Sequence, residues 1–197
     1  MPQVASQHSK VKSLFRGRRL SLRLLLGAVA LACAAPRVSA EELPEANAKA
    51  AFVFNLTQFV SWPGGAASQE PFKIGVLGPD PFGSILDRLV AGESAGGRSI
   101  VVERASFPAQ LVDCQLVYVS SGAAESLPRI LAAFKGHGVL IVGESPDFLS
   151  QGGMVRLFRT PERKLRLQIN LDAVQAVGLK MSSQLLRVAD VHKGARR

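Results

Sequence analysis

The sequence is poor in the side chains on which most metal sites and covalent catalysts depend. It has three histidines and two cysteines among 197 residues. His137 lies between two glycines and His192 lies near the carboxyl end, and neither has a partner at the spacing of a zinc site or a catalytic triad. The sequence therefore predicts no metal site, no bound cofactor and no catalytic residues, and we expect a protein that is not an enzyme.

Long apolar runs are also scarce. Residues 24–35 form one, but at about a dozen residues it is shorter than the roughly 20 that span a bilayer. It follows a basic stretch and precedes Val38-Ser39-Ala40, small residues of the kind found at a signal-peptide cleavage site. We predict that residues 1–40 are a secretory signal peptide cleaved near Ala40, and that residues 41–197 form the mature domain.

Cleavage there would leave a single thiol, Cys114, which excludes an internal disulfide. The preferred interpretation is that Cys114 is a small buried hydrophobic residue at a strand edge, and the alternative is a bridge between two molecules. Cys33 raises lipid attachment as a lesser alternative to cleavage. Ala30, however, stands where a lipoprotein signal carries a large aliphatic residue.

The positive charge is unevenly distributed. The formal net charge is +9, but seven of the 24 basic residues and none of the 15 acidic residues lie in residues 1–40. The rest of the chain is nearly balanced. A basic surplus confined to a removable segment gives little reason to expect a nucleic-acid partner.

Residues 49–63 predict an amphipathic helix, because apolar residues recur there at intervals of three and four. The apolar face consists of Phe52, Val53, Leu56, Phe59 and Val60. Pro63 cannot continue a helix and disfavours the helical conformation at Trp62, so the Trp-Pro pair is expected to end it.

Short apolar strands and further helices alternate along the rest of the chain. Predicted strands cover residues 72–77, 99–104, 115–119, 138–142, 154–158 and 164–171. Predicted helices cover residues 82–90, a segment ending at Phe134 and, with an interruption near Gly178, residues 172–191. This alternation predicts a single-domain α/β fold, a mixed β-sheet flanked by helices on both faces.

Three of the predicted strands end in polar loops that could line a ligand crevice, because ligands bind at the carboxyl ends of strands in open α/β sheets. The candidate crevice residues are Asp80, Ser120, Ser121 and Glu144. The alternative is that these residues cap the helices that follow, with Glu144 and Asp147 placed as acidic residues at a helix start.

A basic run crosses the last two predicted strands, and it is the candidate partner surface. Strand periodicity places Lys164 and Arg166 on one face and Leu165 on the other. A solvated sheet face would also explain the run. Arg156, Lys164 and Arg166 are candidate contacts for an acidic partner, and Trp62 is a candidate aromatic anchor if its indole is exposed.

Five segments resemble the YfiR family, in the family's order. They are KAAFVFNLTQFVSWP, FKIGVLGPDPFGSILD, DCQLVYVSS, GVLIVGESPDFLSQGGMV and LQINLDAVQAVGLKMSSQLLRVADV, between Lys49 and Val191. The first is similar to the family's opening, in which a Lys-Ala-Ala-aromatic start runs to an aromatic-x-x-Trp-Pro end.

The resemblance implies a soluble periplasmic regulator without enzymatic activity. It implies binding to the periplasmic part of an inner-membrane diguanylate cyclase, which inhibits the cyclase and lowers cyclic di-GMP and biofilm formation. It also implies sequestration by an outer-membrane lipoprotein and a homodimer as further associations. The alternative function is a periplasmic small-molecule sensor or binding protein that uses the crevice.

The sequence departs from the family's pattern at one position. Many members carry a second cysteine in the first strand, paired with the one that matches Cys114, but Gly75 stands there in this chain. Redox control through that bridge is therefore not expected, and the space beside Gly75 would help to bury the Cys114 thiol.

Overall fold

The computed structural model describes residues 42–63, 69–123 and 125–192, with side chains from residue 45 onward. All of them belong to one unit of the chain, Ser39–Arg197. The predicted signal peptide and the last five residues lie outside the described residues.

The described strands form one eight-stranded sheet and one two-stranded ribbon. The strands are β1 (Val60–Ser61), β2 (Phe72–Leu77), β3 (Ser94–Ala95), β4 (Arg98–Ala105), β5 (Leu116–Val119), β6 (Leu140–Gly143), β7 (Val155–Arg159), β8 (Leu165–Asn170), β9 (Lys180–Met181) and β10 (Asp190–His192). The large sheet has the order β10-β8-β7-β6-β5-β2-β4-β3, and the ribbon pairs β1 with β9.

The sheet is mixed, as predicted. Strands β4, β2, β5, β6 and β7 run parallel, whereas the β7–β8 and β3–β4 pairs are antiparallel. Every residue of β5 and β6 is buried, which explains why both read as continuous apolar runs rather than alternating ones.

Helices cover both faces of the sheet. The described α-helices are α1 (Glu42–Phe59), α2 (Ser84–Val90), α3 (Leu127–Ala133), α4 (Leu171–Ala176) and α5 (Ser183–Val188), with a 3₁₀ helix at Pro108–Leu111. Phe82, just before α2, packs edge-on against Tyr118 on one face. Leu111 lies beside Gly75 on the opposite face, since Tyr118 is level with Val76 in the register. None of the described helices combines the length and the apolarity that a bilayer crossing requires.

The first helix differs from its prediction at both ends. It begins by Glu42 and ends at Phe59, because Val60 and Ser61 pair with β9 instead of continuing the helix to Trp62. Its most buried face is also rotated. Ala50, Val53 and Leu56 are fully buried, whereas Phe52 and Phe59 are only partly buried against the core.

The carboxyl-terminal segment is not the interrupted helix that periodicity predicted. It is divided into α4, β9, α5 and β10. Two local hydrogen bonds account for the division: the Asn170 side chain accepts from Ala173 N–H at the start of α4, and Ser182 accepts from Leu185 N–H at the start of α5. Such N-caps start a new helix at each point.

Candidate functional site

A cluster of four charged side chains and one tyrosine joins α1 to the carboxyl ends of the central strands. Lys49 lies 2.7 Å from a carboxylate oxygen of Glu144 and 2.7 Å from one of Glu45. Arg159 pairs with the second oxygen of Glu45 at 2.5 Å. The Tyr118 hydroxyl donates to the second oxygen of Glu144. We call Glu45, Lys49, Tyr118, Glu144 and Arg159 the α1 ion cluster.

The electrostatics of the α1 ion cluster favour its charged and hydrogen-bonded form. Hydrogen bonding from Lys49 holds the pKa of Glu45 below its ordinary value. Burial works to lower the pKa of Lys49, but its hydrogen bonds to Glu144 and Glu45 outweigh burial and raise that pKa. Burial, reinforced by the hydrogen bond to Glu144, raises the pKa of Tyr118, so the hydroxyl stays protonated and can donate. The cluster is therefore a set of satisfied partners that fastens α1 to the sheet.

Sequence reasoning did not find the α1 ion cluster. It assigned Glu144 to a crevice or to a helix start, but residues 146–152 form turns, so the helix-start interpretation of Glu144 and Asp147 is wrong. The sequence holds one indication of this cluster, which is that Lys49 and Glu144 each lie in a segment that resembles the YfiR family. Their contact, across 95 residues, could not be read from spacing.

Three of the four predicted crevice residues come together. Ser120, Ser121 and Glu144 line one cavity at the carboxyl ends of β5 and β6. Its volume is about 130 Å³, which is below the 300 to 1,000 Å³ typical of small-molecule sites. The capping alternative is wrong for both serines, because the next helix begins at Leu127 with Ser126 at its cap position.

Asp80 is separate from this cavity and is engaged in its own loop. One of its carboxylate oxygens accepts from Phe82 N–H at 2.7 Å, and the other pairs with Arg104 at 2.6 Å. Arg104 also pairs with Asp87 of α2 and donates to the Gly83 carbonyl. These contacts fix the loop between β2 and α2.

Larger grooves lie at the opposite ends of the strands. One of about 680 Å³ is lined by residues at the amino ends of β2 and β5, including Lys73 and Gln115, together with Trp62 and Arg98. A more apolar groove of about 750 Å³ lies between α3 and α4. The cavity lined by Ser120, Ser121 and Glu144 is therefore several times smaller than either groove.

Trp62 is half-buried and held in place on two sides. Its indole N–H donates to the Gln115 carbonyl at 2.8 Å, and its ring meets Phe72 edge-on at 4.8 Å between centroids. The indole N–H is therefore already satisfied inside the protein. Only the partly exposed ring would be available to a partner.

The predicted basic surface lies on the β7–β8 hairpin. Arg166 is level with Phe158 in the antiparallel register, and Arg156 is two residues from Phe158 along β7, so all three share one face. The Arg156 guanidinium donates to Gln168 at 2.9 Å and lies 5.3 Å from the Phe158 ring centroid. Lys164 is exposed just before β8. We call Arg156, Lys164 and Arg166 the basic face.

The three members of the basic face lie outside the salt bridges of the described residues, although Arg166 is close enough to Glu162 to help lower the pKa of that carboxylate. Arg159, by contrast, points to the other side of β7 and pairs with Glu45. The basic face is thus available for an acidic surface.

Cys114 is buried as predicted, with 2% of its surface exposed. Burial raises the pKa of its thiol to about 12, so it is neutral at physiological pH. A β-carbon placed on Gly75 would lie 3.2 Å from the Cys114 sulfur. The glycine therefore stands directly beside the thiol.

Comparison with known proteins gives one match that covers most of the chain. The model of the family described as YfiR/HmsC-like matches residues 46–190. No curated protein sequence matches the chain.

Solved structures give weaker likenesses. A conserved domain protein from Vibrio cholerae O1 biovar El Tor is 16% identical, with a TM-score of 0.45 over 61% of this chain and 54% of that one. An ABC domain in complex with L-Trp from Streptococcus pneumonia is 12% identical, with a TM-score of 0.44 over the same shares of the two chains. The chain thus spans about half the length of each.

Proposed function

Because the chain belongs to the YfiR/HmsC-like family, we propose that it binds the periplasmic part of an inner-membrane diguanylate cyclase and holds the cyclase inactive. The family consists of periplasmic regulators of diguanylate cyclase signalling rather than enzymes. Inhibition would lower cyclic di-GMP and, through it, biofilm formation. The match over residues 46–190 carries the proposal, because it takes in all but the last residue of the segments on which the resemblance rests.

Two further associations belong to the proposal. An outer-membrane lipoprotein would release the cyclase by sequestering this protein, and two copies would associate as a homodimer. Export through the inner membrane, with removal of residues 1–40, places the protein where it can meet these partners.

The basic face supports the proposal at the level of contact chemistry. Three cations outside the described salt bridges on one hairpin, with Phe158 beside Arg156 and Arg166, provide the arginine and aromatic groups that dominate protein–protein contacts. Their partner is accordingly an acidic surface. Trp62 is a second candidate anchor, acting through its ring because its N–H is satisfied internally.

The test is charge reversal on the basic face. The double substitution Lys164→Glu and Arg166→Glu should leave the melting temperature within a few degrees of the parent, because both side chains are exposed and outside any salt bridge. It should raise cellular cyclic di-GMP several-fold toward the level of a strain that lacks the protein. Cyclic di-GMP is measured by mass spectrometry in cells that carry each variant.

A matched control reverses two positive charges elsewhere on the surface. Lys180 and Arg187 are also exposed, and Lys180→Glu with Arg187→Glu changes the net charge equally. The control should repress as the parent does. Full repression by a stable, periplasmic Lys164→Glu/Arg166→Glu variant would remove the basic face from the proposal.

A further inference from the structure

Strand β4 has an edge that is largely unpaired within residues 69–123. On one side β2 pairs with Ile100 to Ala105, but on the other side β3 pairs only with Arg98 and Ser99. Gly78 N–H donates to the Ala105 carbonyl at 2.9 Å, which fixes Ala105 as a residue whose peptide groups point to β2.

The direction of the other peptide groups follows from that hydrogen bond. Successive residues of a strand direct their N–H and C=O groups to opposite edges. Val102 and Arg104 therefore direct theirs away from β2, beyond the end of β3. Ile100 agrees with this alternation, since its N–H donates to the Glu93 carbonyl on the β3 side. In the described part of the chain nothing accepts from or donates to the backbone of Val102 or Arg104.

Exposed apolar side chains accompany this edge. Val101 is 37% exposed and Phe107, two residues beyond the strand, is 60% exposed. Scattered exposed apolar residues are ordinary, but here they lie beside unpaired backbone groups.

The protection of this edge is incomplete. Natural edges are blocked by proline or by charged side chains, especially lysine. Residues 101–105 contain no proline and no lysine. The two charged side chains are both engaged, Glu103 with Lys73 and Arg104 with Asp80 and Asp87.

A second copy of the chain fits this edge poorly. Because β3 occupies the edge at Arg98 and Ser99, a two-fold pairing of β4 with itself has to be centred at Glu103 or later. If the two-fold axis passes through Glu103, the Glu103 carboxylates of the two copies lie opposite each other. If it passes through Arg104, the two Arg104 guanidinium groups lie opposite each other. Like charges directly opposite each other destabilise a strand pair.

We propose that the free edge of β4 binds an extended segment of another protein as an added β-strand. Backbone hydrogen bonds to Val102 and Arg104 would hold the segment, and alternate apolar side chains on it would pack against Val101 and Phe107. This surface is distinct from the basic face. The sheet order places β6, β5 and β2 between β7 and β4, so the two surfaces are about 19 Å apart.

The test first selects peptides that bind the protein and then blocks the free edge of β4 by substitution. A displayed library of random heptapeptides is selected against the purified protein, and the best binder is synthesised and titrated by calorimetry. We expect alternating apolar residues and no proline in the selected sequences. Val102→Pro removes an outward-pointing N–H while leaving the bonds to β2 intact, and it should weaken binding at least ten-fold.

A second variant covers the case in which proline disturbs the fold. Phe107→Ser changes an exposed side chain and should also weaken binding at least ten-fold. The matched control is Val188→Ser, which removes a side chain that is 64% exposed on α5, and it should leave binding unchanged.

Amide hydrogen exchange gives a readout that does not depend on substitution. The amides of Val102 and Arg104 should exchange fast in the free protein and become protected when the peptide binds. The proposal is overturned if no peptide is enriched, or if the selected peptide binds the Val102→Pro and Phe107→Ser variants as tightly as the parent. Slow exchange of both amides in the free monomer, or their protection by dimerisation, would equally overturn it.

Discussion

At the scale of single residues, the buried Cys114 thiol lies directly beside Gly75, which carries no side chain. A β-carbon built on Gly75 would lie 3.2 Å from the Cys114 sulfur and 3.1 Å from both Leu111 and Val117, so the space beside Gly75 is closely packed. Cys114 is a buried thiol with a raised pKa, and it donates a hydrogen bond to Glu103. We expect two measurable consequences.

The first consequence is a stability that depends on the thiol at alkaline pH. Because the folded-state pKa of Cys114 is about 12 against an ordinary value of 9.0, folding favours the neutral thiol. This contribution is complete below about pH 9 and is lost as pH rises toward 12, because the unfolded chain ionises first. Between pH 9 and 10.5 the Cys114 term should reduce the free energy of unfolding by at most about 1.4 kcal/mol per pH unit.

Urea unfolding at pH 7, 9 and 10.5 measures this loss, with Cys114→Ala as the control that lacks the ionising group. The parent should lose more stability than the control over this range. Parallel pH profiles for the two proteins would mean that the thiol is not enclosed as described.

The second consequence concerns Gly75→Cys. A sulfur on the new β-carbon would be within bonding reach of Cys114, since a disulfide places each β-carbon about 3 Å from the partner sulfur. We expect the variant to oxidise spontaneously. The oxidised form should be more stable than its reduced form by about 2 to 4 kcal/mol, because the bridge closes a long loop.

The measurement is the melting temperature of Gly75→Cys with and without reductant, together with a free-thiol titration. Gly75→Ala is the control for crowding, because it adds the β-carbon without the sulfur and should lower the melting temperature. Two free thiols in the oxidised preparation would contradict the placement of Gly75 beside Cys114.

At the scale of elements, the predictions were best where one local signal decided the structure. Strand β2 was predicted at its observed bounds, and β5 within one residue, because a buried parallel strand gives an apolar run between turn signals. The β7–β8 hairpin was also predicted, including the face on which Arg166 lies. Proline and glycine marked the turns.

Predictions failed where the local structure is determined by a residue that is distant in the sequence. The end of α1 is set by β9, about 120 residues later, which recruits Val60 and Ser61 into a ribbon. In the same way, Asp80 was expected beside Ser120 and Glu144 because parallel strands end together. Arg104 instead holds Asp80 in a salt bridge. The spacing of residues in the sequence does not indicate which carboxylate Arg104 pairs with.

The α1 ion cluster leads to a prediction about α1. Lys49→Met should lower the free energy of unfolding by about 2 to 3 kcal/mol, because it leaves Glu45 and Glu144 half-buried without their shared cation. Adding Glu144→Gln to Lys49→Met should recover part of the loss, since the two side chains interact directly. Chemical denaturation of the parent, both single variants and the double variant measures the coupling.

The acid side of the pH profile provides the check. The pKa of Glu45 is lowered by folding, so its contribution is present above about pH 4.5 and is lost as pH falls through the folded-state pKa. The parent should therefore lose more stability than Lys49→Met between pH 5 and pH 3. Additive effects of the two substitutions, with equal acid profiles, would show that the cluster does not act as a unit.

At the scale of the whole molecule, location governs function, because a regulator that works by contact has to share a compartment with its cyclase. We predict that protein recovered from the periplasm begins at Glu41, as a result of cleavage after Ala40. Amino-terminal sequencing of the periplasmic fraction measures this. Recovery of the uncut chain in the cytoplasm would contradict both the export prediction and the proposed inhibition.

The α1 ion cluster also affects the order in which an exported chain can fold. Its contacts join Lys49 to a residue 95 positions later and Glu45 to one 114 positions later. A chain threaded through a membrane channel from its amino end delivers α1 first and Arg159 among the last. Until then α1 has neither its counter-ions nor the sheet that covers Val53 and Leu56, and closing such long loops is slow. In an exported chain, α1 therefore emerges well before Glu144 and Arg159, which pair with Lys49 and Glu45.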